Sequence, residues 1–438
     1  MMSSNTKHVV IGGGISGLCA ARTIKELGQE HLMLEQCPSL GGLTRTVEVG
    51  DFCFDYTGHF LHLSRYKTPA EIPFGGLNDK DWKQINRRSC CFVAGKMIEA
   101  PIQYNIGQLP PGMFEECVRS YEERPDFSNS ESATFRDFII GGFGQYLADL
   151  FLIPQNEKTM ATPLDRLSNR AVKRFFPAPV NELVRAGMSR NVPTSAEYNS
   201  TFWYPRVGGI GRLVDGLSAG LNNVRVCQPV ITLDLDRRKI QTKSGEIFHW
   251  NTLFSSMPLN TLCQVTNDPE LQALGKRLTH SSTISFNIGL NTPVKPEFEG
   301  IHWIYVPDRE IPFYRVGFYS NISSGTCTPG TSALYVEVGI SSEDLHVPNI
   351  VRELQPKVIA ALEELGWIDS HDITCLVTHV IEHAYVHFTE ERDRLVEEIT
   401  ERLHHRGIHP IGRYGLWDYT GMEDAMESAM ATVREVLS

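Results

Sequence analysis

The feature that most constrains this chain lies near its start. A short apolar run, His8-Val9-Val10-Ile11, leads directly into Gly12-Gly13-Gly14-Ile15-Ser16-Gly17-Leu18. Leu18, Ala21, Ile24 and Leu27 then recur at helical spacing until Gly28 stops the pattern. A second apolar run, His31 to Leu34, ends on the carboxylate of Glu35. Strand, glycine loop, helix, strand and acid in this order predict a dinucleotide-binding βαβ unit, with the acid about 20 positions beyond the loop. Each part has a mechanical task. Gly12 permits the tight turn, Gly14 lets the backbone approach a pyrophosphate, and Gly17 lets helix and strand pack closely. The first helical turn, with Ile15 and Ser16, offers unpaired N–H groups and a partial positive charge to the phosphates. Glu35 is expected to accept hydrogen bonds from a ribose.

At 438 residues the chain exceeds what one hydrophobic core usually supports, so two or three domains are expected. A formal net charge of −11 and the lack of any Lys/Arg-rich cluster predict no nucleic-acid partner. The ten cysteines follow no metal or redox spacing, so no metal site is expected and a reducing, cytoplasmic setting is. No apolar stretch approaches ~18 residues, and the strand begins by about residue 8, so neither a membrane-spanning helix nor a signal peptide is expected.

The segment after Glu35 separates FAD from NAD. Gln36 opens a stretch that ends in Gly41-Gly42-Leu43-Thr44-Arg45. It resembles the E-x(5)-G-G-x-x-R/T segment of the FAD-containing amine oxidase superfamily, which also includes protoporphyrinogen oxidases. The resemblance implies that Gly41 and Gly42 pass beside the FAD pyrophosphate, with Thr44 and Arg45 toward the isoalloxazine. Phe54-Asp55-Tyr56-Thr57-Gly58-His59-Phe60-Leu61-His62 is similar to a stretch of UDP-galactopyranose mutases. It implies that Gly58 and His59 sit at the flavin ring.

Farther along, Phe143 to Phe151 and Ile153-Pro154-Gln155-Asn156-Glu157-Lys158 resemble another mutase segment, which places Lys158 at the active site. The family pattern continues with Trp, where this chain has Met160. The loop Tyr204-Pro205-Arg206-Val207-Gly208-Gly209 and the following Val230 match places that pack near the flavin and hold the adenine. Pro312-Phe313-Tyr314-Arg315 is similar to a short Y-x-R motif set against the substrate diphosphate, a task that suits the planar guanidinium fork. Gly412-Arg413, Tyr419 and Met422 resemble the family ending, in which a Gly-Arg strand meets the pyrophosphate and the last helix faces the flavin.

The expected fold class is α/β: a Rossmann-like FAD-binding domain with an interleaved α+β substrate domain. The FAD-binding segments are 1–92, 203–262 and 396–438, and the substrate segments are 93–202, mainly helical, and 263–395, an antiparallel sheet. Helices are expected over about 111–123, 134–152, 180–190 and 348–365, with the polar stretch 124–132 as a surface loop.

The resemblance implies a FAD enzyme acting on a small molecule. The first reading is an oxidoreductase that transfers hydride from an organic substrate to flavin N5. The alternative is a redox-neutral nucleotide-sugar ring isomerase that uses reduced FAD. A third reading is a non-catalytic carrier or escort protein on the same fold. Candidate catalytic residues are His59, Arg315 and Lys158.

Overall fold

The computed structural model describes residues 8–125, 134–172, 176, 179–188 and 200–438. The βαβ unit forms as the sequence predicts: strand His8–Ile11, helix Ile15–Glu26 and strand His31–Leu34. All four residues of each strand are buried, so neither shows polar alternation. They lie in a five-stranded parallel sheet, in the order Ile408–Pro410, Thr252–Ser255, His8–Ile11, His31–Leu34, Val224–Arg225. Segments far apart in sequence thus close one domain.

On one face of this sheet the helix Ile15–Glu26 packs along the C-terminal helix Met422–Leu437 through Leu18, Ala21, Ile24, Met426 and Ala429, all within one buried core. A second core covers the opposite face and includes the antiparallel strands Val230–Asp234, Lys239–Thr242 and Ile247–His249.

The other large sheet has seven strands, in the order Ile373–Val386, His280–Leu290, Ser332–Ser341, Arg315–Phe318, Trp303–Tyr305, Ser89–Val93, Lys96–Glu99. Its two faces differ in chemistry. Ile284, Phe286, Ile288, Val316, Val336 and Val338 fill a buried core under the helix Ile350–Glu364. Each such side chain contributes roughly 1.5–3 kcal/mol of burial. The opposite face follows from strand register and the two-residue period of side chains. One row runs His379, Ser285, Glu337, Arg315, Tyr305, Cys91, and the next runs Val377, Asn287, Tyr335, Gly317, Trp303, Ser89. This polar face is turned toward the nucleotide domain: Asn287 Nδ2 donates to the Asp55 carbonyl at 2.9 Å.

The sheet departs from the antiparallel expectation at one seam. Trp303–Tyr305 pairs in parallel with Ser89–Val93, which draws the 89–99 hairpin into the substrate sheet. Reciprocal bonds fix that seam, His302 N to Arg88 O at 2.8 Å and Arg88 N to His302 Nδ1 at 3.0 Å. The expected break between 92 and 93 falls inside this strand.

Three local readings also change. The helix expected over 134–152 breaks at Gly144, whose φ is 81°, leaving Phe135–Phe143 and a looser turn after it. Ile153–Met160 is a helix rather than a Pro-led turn, because Pro154 occupies the first helical turn, where a missing N–H costs nothing. Gly412 and Arg413 are not on a strand. The strand ends at Pro410, and Gly412, with φ 71°, starts the single helical turn Gly412–Gly415. The helix read over 180–190 is Asn181–Met188, and most of the 124–132 stretch and the end of the 180–190 stretch lie outside the described residues.

Candidate functional site

The nucleotide end of the site is built from glycines held at close quarters. Gly12, at φ 95°, turns the chain out of the first strand, and its N–H donates to Leu34 O at 2.8 Å. A Cβ at Gly17 would lie 1.9 Å from Gly12 O, so only glycine lets the helix sit against this loop. Gly14 is the N-cap residue and carries no capping side chain. The N–H groups of Ile15, Ser16 and Gly17 therefore have no capping side chain from that residue and suit an anion. Gly41 N donates to Gly13 O at 2.7 Å, which lays the second glycine pair beside the first loop. Leu43 lies in the short turn Gly42–Thr44, where Thr44 Oγ1 donates to Gly41 O at 2.6 Å. From the far end of the chain, Gly412 closes on Ser16, whose Oγ would lie 2.1 Å from a Cβ at position 412.

Glu35 is buried and braces this cradle, accepting from Gly13 N at 2.5 Å and Cys37 N at 2.7 Å. Gln36 beside it is exposed. Val230 is buried nearby, on the strand that follows the Gln228 N to Glu35 O bond. Arg45 donates to Gly42 O and lies 4.6 Å over the Tyr56 ring, which stacks at 4.0 Å on His379.

Asp55 joins this cradle to the sheet floor. Fully buried, it accepts from Thr46 Oγ1 at 2.6 Å, Tyr204 OH at 2.7 Å and Ile210 N at 3.0 Å. Burial raises its carboxyl to about 6, against those three donors. Four residues later comes His59, with Nδ1 buried and unpartnered. Burial first, then the Arg413 and Arg315 guanidiniums, push its imidazole down to about 3, so His59 is neutral.

Those two arginines are held in different ways. Arg315 forks onto Glu337, with Nη2 to Oε1 at 2.7 Å, and Glu337 is only 1% exposed. Arg413 donates to the Thr420 and Ala384 carbonyls at 3.0 Å each and lies 4.4 Å over the Tyr419 ring. No salt bridge forms at Arg413 among the described residues, and its Nε is buried without a partner. Tyr305, Tyr385 and Tyr419 lie around the pair, each partly open, while Tyr335 is buried beneath it. Gly58 abuts Tyr335: a Cβ there would lie 2.3 Å from its hydroxyl oxygen. The net result is a cluster of phenols carrying one guanidinium more than carboxylates.

The structure thus brings His59, Arg315, Arg413 and Tyr419 together. Met422 begins the C-terminal helix and packs on the nucleotide-domain core. Lys158 stands apart. Its Nζ donates to Val306 O at 2.8 Å, Asp308 O at 2.7 Å and Phe313 O at 2.5 Å, so it grips a hairpin rather than facing the cleft. Burial pulls its ammonium down to about 7, while the Asp308 carboxylate favours the charge. His62 bonds Thr201 O at 3.0 Å and serves the loop.

Sequence reading missed Glu337, Tyr335 and Tyr385. An acid in an otherwise apolar strand, Ser332–Ser341, was the available signal for the first. Glu423 was also missed. It is 3% exposed and accepts from Ser64 N, Arg65 N, Tyr66 N and Ser64 Oγ, tying the segment after His62 to the first turn of the C-terminal helix.

The glycine cradle and the uncapped helix start fit a dinucleotide pyrophosphate, and the comparisons agree. Residues 10–71 match the NAD(P)-binding Rossmann-like domain family. A structure of reduced UDP-galactopyranose mutase superposes with a TM-score of 0.91 at 25% identity, covering 99% of this chain and 96% of that one. A redesigned double mutant of putrescine oxidase superposes with a TM-score of 0.67 at 13% identity, covering 100% of each chain, a likeness of fold alone. A carotenoid 3,4-desaturase of Haloarcula japonica is 26% identical over 239 residues, 48% of this chain and 46% of the desaturase. The chain spans less than half the length of the curated relatives it matches. The Rossmann-like match and the whole-length likeness to the mutase fit the FAD-dependent amine oxidase-type superfamily, and the glycine cradle fits FAD as the cofactor.

Proposed function

We propose that this protein is a redox-neutral nucleotide-sugar isomerase of the UDP-galactopyranose mutase kind. The observation that carries the proposal is the cluster of Arg315, Arg413, Tyr305, Tyr385 and Tyr419 beside neutral His59. Guanidinium forks and phenol donors on a partly dry surface suit a diphosphate. They oppose a cationic amine, which the one uncompensated guanidinium, Arg413, would repel. The whole-length likeness to the mutase supports the same reading.

When bound, reduced FAD supplies the electron-rich partner that such a ring isomerisation needs. The protein's own part is positional. Glu337 sets the plane of Arg315, so that the guanidinium presents its free edge in one orientation. Arg413, held through its two outer nitrogens by backbone carbonyls, keeps a charge for the leaving diphosphate. His59, neutral over the working pH range, can donate or accept at its unpartnered Nδ1 without adding charge beside the flavin.

Binding of UDP to the anaerobically reduced holoenzyme tests this reading. The wild type should bind with a change in the flavin spectrum, and Arg315→Ala should weaken binding by at least tenfold. Equal affinity in the two proteins would remove Arg315 from the site.

Oxidoreductase chemistry is the second reading, favoured by the partial likeness to a desaturase. Bleaching of the oxidised flavin by a neutral or anionic organic substrate would support it.

A further inference from the structure

Lys158 does not reach the cleft, yet what it holds does. The hairpin between strands Trp303–Tyr305 and Arg315–Phe318 carries Tyr305 and Arg315 on adjacent strands of the polar floor, directly opposite one another in register. Val306 N donates to Tyr314 O at 2.9 Å across the base of its loop, 306–314, and Glu310 N donates to Asp308 Oδ1 at 2.9 Å within it. From outside, Tyr314 N donates to Glu337 O at 3.0 Å, Val306 and Phe313 are buried in the core under the helix Ile350–Glu364, and the helix Ile153–Met160 grips the loop at three places. Gln155 Nε2 donates to Tyr314 O at 3.1 Å, Glu157 pairs with Arg309, and Lys158 Nζ takes the carbonyls of Val306, Asp308 and Phe313.

The helix is itself fixed to the same floor. Gly339 shares the polar face of the sheet, and a Cβ there would lie 1.9 Å from Lys158 O, so the helix backbone sits directly on the strand. Ser281 Oγ, on the neighbouring strand His280–Leu290, donates to Thr159 O at 3.2 Å. A single ammonium therefore joins three carbonyls on both arms of the loop to a helix seated on the floor that carries Glu337.

We infer that Lys158 is a positioning residue, setting the distance and tilt of Tyr305 and Arg315 in the anion site by clamping the 306–314 loop. The inference rests on the anion-site reading above. Two of the three carbonyls are those of Val306 and Phe313, one residue from Tyr305 and two from Arg315. Release of the clamp frees the loop and lets the Arg315 strand end move without altering the flavin cradle, which shares no contact with Lys158 in the bonds described above.

The test uses the reduced holoenzyme, with hydrogen–deuterium exchange of the 306–314 amides and UDP binding as readouts. Lys158→Met should raise exchange in that segment alone and weaken UDP binding by about tenfold or more, with FAD content and flavin spectrum unchanged. Lys158→Arg, which keeps a cation with several N–H donors, should recover most of both. Gln155→Leu removes a neighbouring grip and should give the same pattern more weakly, a second route if Lys158→Met does not accumulate. Unchanged exchange in 306–314 would overturn the inference. So would faster exchange with undiminished UDP affinity. Failure of the wild type itself to bind UDP would sink the nucleotide-sugar reading, and exchange in 306–314 with its recovery in Lys158→Arg would then decide the role of Lys158.

Discussion

The Arg315–Glu337 pair makes a quantitative prediction. Glu337 is 1% exposed and the Arg315 side chain 16%, and the carboxylate is met by two guanidinium nitrogens. Desolvation works against the Arg315 charge, and the Glu337 carboxylate more than restores it, holding the guanidinium well above its ordinary value. Arg315→Met removes that partner and leaves a carboxylate buried between Ser285 and the altered residue in the floor row. Removing one member of a buried pair costs about 3–5 kcal/mol, whereas replacing both by apolar residues of similar size is near neutral or stabilising by ~1–4 kcal/mol. Arg315→Met should therefore unfold at clearly lower guanidinium concentration, and the Arg315→Met/Glu337→Leu double variant should recover most of the loss. Both variants should lose the anion site alike. A loss below ~1 kcal/mol in Arg315→Met, or a double variant no more stable than the single one, would refute the reasoning.

Other consequences follow from the same coordinates. Gly17→Ala should strip FAD from the purified protein and cost at least ~1–3 kcal/mol, because the new methyl meets backbone rather than a movable side chain; a yellow variant of normal stability would contradict the packing. Glu423→Gln should speed FAD release, read as flavin fluorescence on dilution, since it weakens charge-assisted bonds from the Ser64–Tyr66 segment to the C-terminal helix. Burial lowers His59 and His383 to about 3 and His62, His280, His302, His379 and His409 to about 4. Below about pH 6.5 the unfolded chain takes up protons that the folded one refuses, so stability should fall with acid from pH 6.5 toward 4. Asp55, raised to about 6, acts in the opposite sense between about pH 4 and 6, and one such group is outnumbered. Denaturation midpoints across that range that stay flat or rise on acidification would contradict the histidine placements.

The nucleotide half of the site was legible because its physics is local. A glycine loop between a strand and a helix, with an acid at the end of the next strand, defines its own geometry within thirty or so residues. The second glycine pair and His59 were legible only by resemblance. The cluster of arginines and phenols was not local at all. Arg315, Glu337 and Tyr305 come from three strands and meet because register sets them in one row of one face, and Tyr385 joins from a fourth strand, opposite Ser281 beyond a register shift. The strand Ile373–Val386, which carries His379 and Tyr385, was not foreseen, although its Thr, Val and Ile content suits a strand. Lys158 was singled out by its motif, but its carbonyl partners were not foreseen, because a helical lysine can reach a cleft or a carbonyl cluster equally well and only tertiary packing decides between them.

The most direct measurement is anaerobic turnover of nucleotide sugars by the reduced and oxidised holoenzyme, with the flavin spectrum recorded throughout. The account predicts ring isomerisation by the reduced form alone, with the flavin still reduced at the end. Product formed by the oxidised form, with bleaching of the flavin in step, would contradict it and establish an oxidoreductase.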